Sequence, residues 1–219
     1  MPSLSTPAWT QDSIQNPGRT PDKSSVIENT ASNSPLLFQM LKNLSATELR
    51  TVLDMGHASH SSIDFFGDYR CKLIITDAIT ELHKLDHKKN DTAQTWLKAL
   101  AKTLQLDQKN IGPLDLICLW NLPNYLAQHH LKALMEYLLP HTTSNTRLHA
   151  YIYNTQKMPA SPSHYHIRRD QKVLISPRTA EQKNCPMYHL ADLHNCFKPF
   201  KVDHAVMLAS GVQEYYFSL

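Results

Sequence analysis

The stretch "TVLDMGHASHSS", residues 51–62, decides the fold. A short β-rich run ends in Asp54, Met55 and Gly56, and serines that suit a helix start follow directly. A strand running through an acid and a glycine into a helix is the opening of a βαβ unit. The chain then repeats the pattern. "CKLIITDA" is a second apolar run and ends at Asp77; "PLDLICLW" is a third and reaches Trp120 and Asn121. The third is apolar throughout its centre, as a strand covered on both faces must be.

Helical spacing fills the intervals. Leu36, Leu37, Met40, Leu41 and Leu44 mark one helix. "SSIDFFGDY" reads as the next, with Ser61 or Ser62 as N-cap and Gly67 as its stop. "ITELHKLDHK" follows, and then "DTAQTWLKALAKTL", with Trp96, Leu97, Leu100, Ala101 and Leu104 along one stripe. "LQLDQ" reads as a short strand, "NYLAQHHLKALMEYLLPH" as a helix closed by Pro140, and "TRLHAYIYN" as a strand. "KMPASPSHYHIRRDQ" reads as a loop and "PMYHLADLHNCF" as a helix ended by Pro199. "VDHAVMLASGVQEYYFSL" reads as two strands around Ser210-Gly211. Alternating strands and helices imply an α/β layered fold with a mostly parallel sheet. The final pair, joined by a short turn, must be antiparallel.

The 219 residues fit one domain, residues 35–219, behind a tail, residues 1–34. The tail is rich in Ser, Thr, Pro and Asn, has few apolar anchors beyond Trp9, Ile14, Val26 and Ile27, and reads as disordered. With 42% hydrophobic residues and no long apolar run, the chain reads as globular and not membrane-spanning. No basic segment followed by an apolar one opens it, so a secretory signal is not expected and the reading is cytoplasmic. Cys71, Cys118, Cys185 and Cys196 form no C-x-x-C pair and suit buried thiols in a reducing compartment. A net charge of +3 does not indicate nucleic acid.

In open parallel sheets, ligands bind beyond the carboxyl ends of the strands near the point where strand order reverses. Gly56 permits a tight turn and close approach. Asp77, about 20 residues further on, has two acceptor oxygens for a pair of ribose hydroxyls. This is a nucleoside-binding pattern. The loop lacks the remaining glycines of a pyrophosphate cradle, which disfavours NAD or FAD and an oxidoreductase, and no P-loop motif is present.

The order of elements over about residues 36–219 resembles that of class I S-adenosylmethionine-dependent methyltransferases. Their first strand ends in an acid and a glycine-rich loop, D/E-x-G-x-G-x-G. Asp54 and Gly56 match it, Ala58 stands at the second glycine and His60 at the third. The resemblance implies a Rossmann-like three-layer sandwich with a C-terminal antiparallel strand. It implies S-adenosylmethionine as cofactor, held by Asp54, Met55, Gly56, Ala58, Asp77, Ala78 and, after the third strand, Asp107. It places Trp120, Asn121 and Tyr125 on the substrate side, with residues from about 155 to 185 as a roof. "NLPNY" is only reminiscent of the [DNS]-P-P-[YFW] motif of amino-group methyltransferases, so the acceptor, small molecule or macromolecule, stays open.

No catalytic base is assigned, although His57, His60 and His164 are candidates. His57-x-x-His60 and His83/His87 have metal-compatible spacing, but no carboxylate pattern accompanies them and no metal is expected. Lys157, Arg168, Arg169, Lys172, Arg178 and Lys183 outnumber Asp170 and Glu181; they read as a solvated loop or as recognition of an anion. The alternative to an enzyme is a non-catalytic interaction module on the same fold, favoured by the depleted loop glycines. Its discriminating sign is a methionine site filled by Met55 and His60.

Overall fold

The computed structural model of the chain describes residues 28–42, 44, 48–86, 92–106 and 111–219. In chain order it forms β1 (Thr30–Asn33), α1 (Pro35–Leu41), β2 (Arg50–Asp54), α2 (His60–Gly67), β3 (Cys71–Ile75), α3 (Ala78–Asp86) and α4 (Ala93–Leu104). β4 (Leu114–Trp120) follows, then a 3₁₀ turn (Leu122–Tyr125), α5 (Gln128–Leu138), β5 (Thr142–Tyr153), β6 (Lys157–Pro159), β7 (His164–Ile167) and β8 (Lys172–Ser176). β9 (Gln182–Asn184), α6 (Leu190–Phe197), β10 (Lys201–Met207) and β11 (Val212–Ser218) complete it.

The apolar runs meet in one six-stranded sheet of order β10-β11-β5-β4-β2-β3. β2 pairs in parallel with β3 and β4, and β4 with β5. β11 is antiparallel to both β5 and β10, so it alone opposes the others. The expected α/β architecture, with its closing antiparallel strand, is therefore present. α3 packs on α4, α4 on α5 and α5 on α6, while α1 packs on β5, β10 and β11, and α2 on β3. The chain moves outward from β2 to β3 and returns past β2 to reach β4. With right-handed crossovers, that reversal puts helices on both faces and leaves a crevice at the carboxyl ends of β2 and β4.

Local chemistry sets the elements. The hydroxyl of Ser59 accepts the Ser62 N–H at 3.1 Å, so α2 starts before the expected caps Ser61 and Ser62 and ends at Gly67 as expected. Thr92 caps α4, whose Trp96, Leu100 and Leu104 are buried while Leu97 faces outward. The "LQLDQ" strand is not formed by its described part: Gln105 closes α4 in the left-handed conformation, and Asp107 lies outside the described residues. Asn124 and Tyr125 belong to the 3₁₀ turn, not to α5.

Two readings are corrected by backbone pairing that apolar patterning does not report. Thr30–Asn33, assigned to the tail, pairs antiparallel with β8, while residues 1–27 lie outside the described residues. The "KMPASPSHYHIRRDQ" loop instead supplies β6 and β7, which pair with β9 and β8 in two small sheets.

Candidate functional site

β2 and β4 end side by side, and their last side chains meet. The Trp120 indole N–H donates to Asp54 Oδ1 at 2.6 Å, and the Gly56 N–H donates to the same oxygen at 2.8 Å. Asp54 is buried. Burial pushes its carboxyl up to about 6, while the donors Trp120 and Gly56 oppose the rise. Gly56 is obligatory here for a specific reason: a Cβ on it would lie 2.7 Å from the Trp120 indole nitrogen. The partner that approaches Gly56 closely is thus the protein's own tryptophan.

The loop after β2 is tied to the loop after β3. Asp77 N–H donates to Gly56 O, and Ile79 N–H to Met55 O. Met55 and Ala78 are fully buried, and Ala58 is exposed. Asp77 holds left-handed backbone at φ 45°, a conformation Asp tolerates better than most residues. One of its carboxylate oxygens lies 3.4 Å from His57 Nδ1; the other is buried and has no hydrogen-bond partner among the described residues. That orphaned acceptor is what a ribose hydroxyl would satisfy.

The substrate-side residues are brought to the crevice but sealed in it. Trp120 also takes left-handed backbone, φ 53°, unusual for a bulky residue. Its ring stacks on Tyr165 at 4.9 Å with an interplanar angle of 4°, and Tyr165 stacks on Tyr151 at 5.4 Å. Asn121 is fully buried; its Nδ2 reaches the Tyr153 hydroxyl at 3.4 Å, and its Oδ1 has no partner among the described residues. The Tyr125 hydroxyl is shared between the carbonyls of Pro159 and Ser161, both at 3.0 Å, and Lys183 Nζ lies 4.5 Å from its ring centroid. Residues of the expected roof therefore do cover this end of the sheet.

Tyr165 and Tyr151 are the participants that sequence reasoning missed. The alternation in "HYHI" is the signal that would have placed Tyr165 inward. His60 does not approach the crevice: it is exposed on α2, 3.3 Å from Asp64. His83 packs edge-on against Tyr125, and His87 lies outside the described residues. Among the described residues, no group of three or more His, Cys, Asp or Glu side chains is placed to hold a metal ion. Nor, among them, is any helix long and apolar enough to cross a membrane.

No known protein-family model matches the chain, and no curated protein matches it. Solved structures do. The chain is 10% identical to the PH0226 protein of Pyrococcus horikoshii over 84% of this chain and 86% of that one, with a TM-score of 0.47. It is 8% identical to the 1,6-didemethyltoxoflavin-N1-methyltransferase of Burkholderia thailandensis, solved with that substrate and S-adenosylhomocysteine, over 84% and 75%, with a TM-score of 0.44. It is 9% identical to a TehB-like SAM-dependent methyltransferase of Corynebacterium glutamicum over 82% and 85%, with a TM-score of 0.42.

Proposed function

We propose that the chain binds S-adenosylmethionine at the carboxyl ends of β2 and β3 and acts as a methyltransferase on an acceptor not yet identified. The observation that carries this reading is the pair of acids at the carboxyl ends of the neighbouring strands β2 and β3, above all Asp77 with its orphaned buried oxygen. Ala78 and Asp77 fit the nucleoside half: a small buried residue and an acceptor for the ribose. When bound, the cofactor supplies an electrophilic methyl group. The chain's own contribution is to orient the nucleoside through Asp77 and to exclude water with Trp120, Tyr165 and the β6 segment. The four free cysteines support a reducing compartment, the cytoplasm.

A second reading has its own observation. The Trp120 indole fills the space against Gly56 and uses the Asp54 carboxylate. This favours a non-catalytic module whose methionine half is occupied by the protein itself, through Trp120 rather than Met55 and His60. Titration of the chain with S-adenosylhomocysteine and with adenosine separates the two. A methyltransferase binds S-adenosylhomocysteine at least about tenfold more tightly than adenosine, because its methionine half is held too. Equal affinities, or no binding of either, favour the module.

A further inference from the structure

Outside the crevice, the alternation of β7 builds a second polar face. Tyr165 and Ile167 point into the core, so His164, His166 and, one step beyond the strand, Arg168 form a row on the opposite side. The row borders an open groove of about 670 Å³ whose other walls include His57, His60 and Ser176. The His57 and His164 rings stack in parallel, 4.4 Å between centroids and 13° between planes. His166 Nε2 lies 3.1 Å from the Ser176 hydroxyl. Among the described residues no acid lines the groove, although Asp77 pairs with His57, Asp64 with His60 and Asp170 with Arg168 at its edge.

We propose that this groove is a binding site for a phosphate-type oxyanion, such as a phosphomonoester group, and that it engages its ligand as the histidines take up protons. The chemistry follows from the donor set. Imidazolium and guanidinium N–H groups and a serine hydroxyl match tetrahedral oxygens with charge-assisted hydrogen bonds. Charging both stacked imidazoles is opposed by their mutual repulsion, which an anion bound beside them relieves. In the free chain His164 is held below the usual histidine range by burial, then by His57 and Arg178, with Asp77 opposing and His166 adding to the effect. His166 is held low by burial and by His57. An anion reverses these influences and raises both values. Affinity is therefore fully present at low pH and is lost as pH rises through the raised, ligand-bound values. The groove adjoins the proposed cofactor site, since Ala58 lines it and Asp77 contacts His57, but inorganic sulfate probes it with no cofactor present.

The test is calorimetric titration of the full chain with inorganic sulfate, whose charge does not change with pH in this range, at about pH 5.5 and about pH 7.5. The expected result is binding at least about tenfold tighter at the lower pH. The double variant His164→Asn with His166→Asn, and separately Arg168→Gln, should each lose at least about tenfold at the lower pH. Arg169→Gln, which removes a partner of Asp68 off the groove, should bind as the parent does. Far-ultraviolet circular dichroism confirms folding of each variant. Arg168→Gln changes a side chain in the turn after β7 and leaves the strand itself intact, so a folding defect in the double variant still leaves a test. Absence of binding at both pH values, binding equal at both, or binding undiminished in the groove variants would each overturn the proposal.

Discussion

Two carboxylates are buried against the central sheet, and the protein treats them oppositely. Glu214 on β11 accepts the Ser34 hydroxyl, the backbone N–H groups of Leu36 and Leu37, and His149 Nε2 at 2.9 Å. It is thereby the N-terminal cap of α1, supplied from across the sheet in place of a local capping side chain. Burial alone would raise its carboxyl, but His149 and the other donors outweigh burial and hold it below the usual range. Asp54 on β2 has two donors, Trp120 and Gly56, and burial wins. The difference teaches that burial alone does not set the charge of a carboxylate; the number and charge of its donors decide whether burial prevails. Glu214 is built as a structural ion. Asp54 is poised to change state near neutral pH, at the place where a cofactor is expected. Trp120 stands between the two, bonded to Asp54 and edge-on to His149 at 5.8 Å.

The comparison breaks most visibly at Glu214. Glu214→Ala leaves His149, Ser34 and the first N–H groups of α1 without an acceptor, and should cost about 3–5 kcal/mol in urea denaturation. A loss near zero would mean that the network contributes nothing to holding α1.

Asp54 should give a smaller effect with the opposite pH sign. Its carboxyl is raised in the folded chain from 3.8 to about 6, so the fold prefers it protonated. Stability from this group is greatest below its unfolded value, falls as pH rises through about 6 and is flat above. The fall is about 3 kcal/mol for a shift of this size. Glu214 acts the other way: its contribution is present above the ordinary glutamate value and is lost on further acidification. Asp54→Asn should remove the fall between these limits and leave the acid limb intact. Unfolding free energies measured across the range check both limbs.

Trp120→Phe sharpens the comparison further. It keeps the stack on Tyr165 but removes one of the two donors to Asp54, at a cost of about 1–2 kcal/mol. The Asp54 carboxyl should rise above its present value, read by carboxyl carbon resonances in nuclear magnetic resonance.

The same contrast explains what the sequence displays and what it conceals. The strands that build the sheet are legible because β2 and β4 are covered on both faces and so carry consecutive apolar residues, Val52 and Leu53 in the one and residues 116–120 in the other. Asp54, Gly56 and Asp77 are legible because a strand end, a turn and an offset suffice to single them out. Tyr165 on Trp120 is not legible: the two are distant in sequence, and β7 has only two inward positions with which to announce a strand. Its return to β8 also hides, because Gln171 takes the left-handed position, φ 58°, where a glycine would have signalled the turn. The role of Glu214 is concealed for a similar reason. A cap delivered from β11 to α1 leaves no local motif at Ser34.

The most direct measurement is calorimetric titration of the full chain with S-adenosylhomocysteine, run beside Asp77→Ala. The account predicts micromolar binding by the parent chain and a loss of at least about tenfold in the variant, whose thermal stability changes by less than about 1 kcal/mol because Asp77 is half-exposed. No heat and no thermal shift at millimolar ligand would contradict cofactor binding and leave the fold as an interaction module; equal affinity in the variant would contradict the assignment of Asp77 to the ribose.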